Sequence, residues 1–172
     1  MLRLINGLES LIPNVRFKGD LRTNDRELYE SLTILSGEEK PLYDIVYQAS
    51  LDYYKKEIAN KINEKTSEKI TYEFIFSEDE NKNKFKADLQ WQFNIQTIYM
   101  NKNNLTYPYY LKVNSDNKGM PIYFPIQNSS QFDKLYTELF QFINTWLYSG
   151  WQEKTKISSM TEEDLDNYVD VR

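Results

Sequence analysis

Tyr107-Pro108-Tyr109-Tyr110-Leu111-Lys112-Val113 and Met120-Pro121-Ile122-Tyr123-Phe124-Pro125 enclose the run Asn114-Ser115-Asp116-Asn117-Lys118-Gly119, and Ser130-Gln131-Phe132-Asp133-Lys134-Leu135 follows close behind. Two segments rich in aromatic and β-branched residues around a dense turn-former run predict a β-hairpin. From 131 to 157 the period changes. Phe132, Leu135, Tyr136, Leu139, Phe142, Ile143, Trp146, Leu147 and Trp151 recur at helical spacing and form one continuous apolar stripe. Ser130 is read as the N-cap, with Asp133 as the acid of a capping box, and Gly150 as a place where the helix bends or breaks. A hairpin followed by a long amphipathic helix points to an α+β fold, in which a small antiparallel sheet packs against several helices.

Upstream, Leu4, Ile5, Leu8, Leu11 and Ile12 have helical spacing, so a short helix is expected over 2–11, stopped by Pro13. Leu28, Glu30, Leu32 and Ile34 alternate and predict a half-buried strand over 28–35. After a polar turn, Pro41 suits the first turn of a helix, which Ile45, Ala49, Leu51, Tyr53, Ile58 and Ile62 carry to about residue 63. Ile70-Thr71-Tyr72-Glu73-Phe74-Ile75-Phe76 reads as a strand. Helical spacing returns over 85–100, with Phe85, Leu89, Phe93, Ile95, Ile98 and Tyr99 as core positions. Thr161-Glu162-Glu163-Asp164 signals the start of a short terminal helix near Leu165. The expected organisation is a small N-terminal module over 1–48 and a C-terminal α+β domain over 49–172.

Composition narrows the chemistry. Of 172 residues, 40% are hydrophobic and 15% aromatic, too apolar for a disordered chain. Only 5 Gly and 5 Pro argue against a collagen-like or repeat-rich shaft. The net charge is −5, and the lysines are interleaved with acids instead of forming a basic stripe, so no nucleic-acid partner is expected. There is no Cys and no His. Thiolate chemistry is therefore excluded, and so are the usual general base and the commonest metal ligand. No segment reaches the ~20 apolar residues of a membrane span, and Asn6 and Glu9 interrupt the start of the chain as a signal peptide. No membrane association, no cofactor and no metal are expected.

Two aromatic groups stand out. Trp146, Tyr148 and Trp151 lie near the end of the long helix, and Tyr109, Tyr110 and Tyr123 lie on the hairpin. Core packing accounts for most of such a stripe. Trp and Tyr also dominate binding hot spots, so these six residues are the candidate partner contacts. Alternation puts Tyr107, Tyr109 and Leu111 on one face of the hairpin and Tyr110 and Lys112 on the other. The carboxylates Asp79, Asp88, Asp116 and Glu162-Glu163-Asp164-Asp166 show no spacing that pairs them for acid–base work. No phosphate loop, nucleophile elbow or metal-ligand cluster is present in the sequence.

The pattern Phe85-Lys86-Ala87-Asp88-Leu89-Gln90, Gln92 and Asn94-Ile95 is continued by Phe132-Asp133-Lys134-Leu135, by Trp151-Gln152-Glu153-Lys154-Thr155-Lys156-Ile157 and by Met160-Thr161-Glu162-Glu163-Asp164-Leu165. Over 85–168 it resembles a domain-of-unknown-function family found beside bacteriophage tail-fibre genes. Between 105 and 125 the chain departs from that family. Many members carry a Trp and an Asn-rich segment there, where this chain has its hairpin. Leu11-Ile12-Pro13-Asn14, the segment 28–35 and Glu39-Lys40-Pro41 resemble the XkdW-type proteins, also encoded beside tail-fibre genes. The resemblance implies a non-catalytic viral protein working by protein–protein interaction, as a tail-fibre assembly chaperone or adaptor. It also implies a place in the host cytoplasm during assembly or in the virion tail. The alternatives it leaves are a structural component of the tail, collar or baseplate, and a phage protein that inhibits a host factor.

Overall fold

A computed structural model describes residues 2–21 and 24–172. The fold is α+β, with small antiparallel sheets packed against several helices, one of them the long helix near the C-terminus. The chain divides into two compact units, one formed by Met1–Ile62 with Glu153–Arg172, the other by Asn63–Gln152.

In the first unit, α1 (Leu4–Leu11) places Leu4 and Leu8 in a core with Leu21, Tyr29, Leu32 and Val46. The two-residue strands β1 (Phe17–Lys18) and β2 (Thr33–Ile34) pair antiparallel, Phe17 opposite Ile34. Between them lies α2 (Arg26–Glu30). The strand expected over 28–35 is thus helix and turn in its first half, and only Thr33–Ile34 within it is strand. Its cause is local: the Asp25 side chain accepts hydrogen bonds from the backbone N–H groups of Glu27 and Leu28. Satisfying two otherwise orphaned donors outweighs a short alternation. The turn that follows exposes Leu28 and buries Tyr29, whose hydroxyl donates to the Pro41 carbonyl at 2.5 Å.

α3 (Tyr43–Tyr72) contributes residues 43–62 to the first unit and 63–72 to the second. The expected strand over 70–76 is corrected as well. Ile70, Thr71 and Tyr72 stay helical, and only Phe74–Ile75 forms strand β3. Extending an existing helix adds one hydrogen bond per residue fixed, and Lys69 pairs with Glu73 one turn on at 2.8 Å. Completing the first unit, residues 153–158 and α6 (Glu162–Asp166) bring Ile157 and Leu165 to Ile58 and Ile62. Thr161 and Asp164 form the expected capping box.

In the second unit, β3 pairs with β4 (Lys84–Phe85), so Phe85, the first residue of the helix expected over 85–100, is strand. α4 starts only at Leu89 and ends at Met100, where Asp88 caps it by accepting from Trp91 N–H at 2.8 Å. β5 (Tyr109–Ser115) and β6 (Pro121–Ile126) form the expected hairpin, with Leu111 opposite Phe124 and a register shift between Lys112 and Asn114. Gly119, at φ +80°, sits where the loop needs a left-handed residue. α5 (Ser129–Ser158) runs through Gly150 without a break. Asn128, not Ser130, accepts from Gln131 N–H at 2.9 Å, and Asp133 turns away from the cap to Tyr99 and Lys102. Phe74, Phe76, Phe85, Phe124, Phe132 and Leu135 centre the core. Each such side chain contributes about 1.5–3 kcal/mol when fully removed from water.

Candidate functional site

α4 is apolar on two sides. Ile95 is fully buried, and Trp91, Ile98 and Tyr99 pack against the same core. The helical spacing of 85–100 marks Leu89 and Phe93 as core positions too, and the structure corrects both: Leu89 is 83% exposed and Phe93 65%. They lie one turn apart, on the outward side. α5 is doubled in the same way. Phe132, Leu135 and Leu139 are buried, while a second row follows at Tyr136, Phe140, Ile143 and Leu147, one helical turn apart each time. Phe140 and Leu147 are both more than half exposed.

These outward rows form a groove in the second unit. One part, with a volume of 360 Å³, is lined by Leu89, Phe93, Tyr136, Leu139, Phe140 and Ile143, with Gln92 and Gln96 as its polar groups. A neighbouring part of 340 Å³ shares Leu89, Gln92 and Ile143 and is closed by Leu147 and the side of α3 that carries Thr66 and Ile70. Gln92 is fixed by donating to the Ala87 carbonyl at 2.7 Å. The rim is fixed at one end by Tyr99, which stacks on Tyr136 with ring centroids 4.0 Å apart and donates to Asp133 at 2.9 Å. Lys102 is bonded to the same carboxylate, and the two donors hold Asp133 below its ordinary range.

No Asp, Glu, Lys or Arg occurs over 89–101 or over 139–152, in a chain where 27% of residues are charged. Loss of charge with gain of aromatics is the signature of the buried part of a protein–protein interface. Contiguous exposed apolar faces are commonly where proteins meet partners.

The six residues read from the sequence fall into three situations. Tyr148 and Trp151 stack at 5.7 Å, are both more than half exposed and extend the outward side of α5 by a turn. Trp146 is half-buried, meets Phe142 edge-on and lies beneath the Lys69 ammonium, 5.4 Å from the ring centroid. On the hairpin, Tyr109 packs on the core, while Tyr110 and Tyr123 are exposed around Lys112, as alternation requires. Sequence reasoning missed Phe140 and the outward role of Leu89, Phe93 and Leu147. The uncharged runs were the signal that could have found them.

The acidic candidates have structural partners. Asp79 is buried and accepts from the backbone N–H groups of Asn81 and Asn83, Asp88 caps α4, Asp116 accepts from Lys118 and Met120 N–H, and Asp164 caps α6. Glu162 accepts from Asn24 and Tyr47, and Asp166 accepts from Tyr54. Among the described residues, no group of three or more acids is placed to hold a metal ion, and no helix is long and apolar enough to cross a membrane. No protein-family model, curated protein or solved structure matches the chain.

Proposed function

We propose that this chain is a non-catalytic phage tail-region protein that binds other phage proteins, as an assembly chaperone or adaptor of the tail fibre. The observation that carries the binding role is the uncharged groove between α4 and α5, with Phe93 and Phe140 raised at its edges. The tail-fibre assignment is supported by the sequence resemblance over 85–168 and 11–41. A fibre chain exposes apolar surface and unpaired strand edges before it trimerises, and a chaperone must cover them until the chains register. An apolar groove on a chain of net charge −5 suits that task, since the charge limits aggregation while the groove takes up the client.

Co-expression with the neighbouring fibre gene is expected to raise the yield of soluble trimeric fibre and to co-purify the two proteins. Phe93→Ser with Phe140→Ser, at exposed positions, is expected to abolish both effects while leaving the helical circular dichroism unchanged. An unchanged fibre yield with the wild-type chain, and no co-purification, would remove the reading.

A further inference from the structure

We infer that the face formed by α4 and α5 also binds a second copy of this chain, giving a two-fold symmetric dimer. The inference goes beyond the chaperone reading, since it does not depend on which client is held.

Its first support is the size of the face. Phe93, Phe140, Tyr148 and Trp151 are each more than half exposed. An aromatic side chain presents 150–250 Å² in full, so these four offer on the order of 450 Å². With Leu89 and Leu147 the face approaches the ~800 Å² per partner of a standard stable interface.

The second support is spacing. Phe140 and Leu147 are exposed and seven residues apart, with the half-buried Tyr136 and Ile143 beside and between them, so the row alternates steps of four and three residues. That is the seam spacing by which one α-helix packs along another in a left-handed pair. The occupant that fits such a row is therefore a helix with an apolar row of its own, and α5 of a second copy is such a helix. A two-fold axis brings the same surface of both copies together, so Phe140 and Leu147 of each copy face the groove of the other.

Charge supplies the third support. Two copies of a chain with net charge −5 repel each other wherever their charged surfaces meet. The α4–α5 face brings together 89–101 and 139–152, both free of charge, so pairing there opposes no like charges at contact. Chain entropy adds little to the cost, because the exposed side chains stand on preformed helices.

Sedimentation equilibrium of the purified full chain at micromolar concentration tests this. The wild type is expected at twice the 20.6 kDa of one chain. Phe93→Glu and Phe140→Glu, each of which places two carboxylates in a symmetric interface, are expected to run as monomers with unchanged circular dichroism. Met120→Glu, at an exposed position beside the hairpin loop and away from the groove, is expected to leave the dimer intact. Should a glutamate variant fail to fold, Phe140→Gln is read instead, with at least a tenfold weaker dimer expected. A monomeric wild type, a dimer that survives substitution at both Phe93 and Phe140, or an open series of larger oligomers overturns the inference. A wild-type monomer that still retains the fibre protein on co-expression removes the second copy alone and leaves the chaperone reading standing.

Discussion

Tyrosine hydroxyls do much of the polar work inside the first unit. Tyr54 donates to Asp166 at 2.9 Å, Tyr168 donates to Glu153 at 3.0 Å and Tyr47 donates to Glu162 at 3.1 Å. Each phenol keeps its proton because burial and a carboxylate partner both disfavour the phenolate. For Tyr54, burial is the larger cause and the Asp166 bond the next, and together they push its ionisation from 10.0 up to about 12. Tyr168 is raised in the same direction by burial and then by Glu153. The folded value lies above the unfolded one. The stabilisation is therefore fully present below the ordinary tyrosine range and is lost as the pH climbs through the folded value near 12. In an alkaline absorbance titration, a class of late-ionising tyrosines is expected, and Tyr54→Phe is expected to reduce the amplitude of that class. An unchanged late phase in the variant would show that Tyr54 ionises with the exposed tyrosines and that the bond to Asp166 does not persist in solution.

Between elements, Gly7 sets how closely α1 approaches α3. A Cβ at Gly7 would overlap the Val46 carbonyl oxygen and both the backbone nitrogen and the Oγ of Ser50. Replacing a helical glycine with alanine ordinarily stabilises a helix by up to about 1 kcal/mol. Here the backbone contact reverses the sign. Gly7→Ala is expected to destabilise the chain by roughly 1–3 kcal/mol, the cost of overpacking a close-packed site. A thermal melt that moves upward instead would show that α1 is free to shift. The same balance between local and tertiary forces governed what could be read from the sequence. Where a cap, a turn-dense loop or a long period spoke alone, the element was legible, as in α1, the β5–β6 hairpin, α5 and α6. Short alternations were not. The segment 28–35 loses to the Asp25 cap, and 70–76 loses to the helix already running through Lys69. β3 and β4 are two residues each and exist because Phe74 meets Phe85, a pairing that neither sequence window contains.

At the level of the whole molecule, apolar periodicity identifies which residues leave water but not what covers them. Leu89 and Phe93 have the same helical spacing as true core residues, so the sequence could mark them as apolar but not as exposed. Tyr148 and Trp151, named as candidate contacts from the sequence, are both more than half exposed, although Trp151 follows the same apolar stripe as the buried residues. The division into units was beyond the reach of local pattern, since residues 153–172 join 1–62 across ninety intervening positions. Both α3 and α5 contribute residues to each unit. Unfolding one unit alone would end these two helices in mid-run, leaving up to four backbone groups without partners at each uncapped break. The two units are therefore expected to unfold together. Trp91, Trp146 and Trp151, the chain's three tryptophans, all lie within Asn63–Gln152, so tryptophan fluorescence reports on the second unit, whereas far-ultraviolet circular dichroism reports on the helices of both. Urea transitions followed by the two signals are expected to coincide. Leu8→Ala, at a fully buried position in the first unit, is expected to cost about 2–5 kcal/mol and to lower both midpoints by the same amount. A fluorescence midpoint that stays at its wild-type value while the dichroism midpoint falls would mean that the units unfold independently, with α3 and α5 breaking at the boundary.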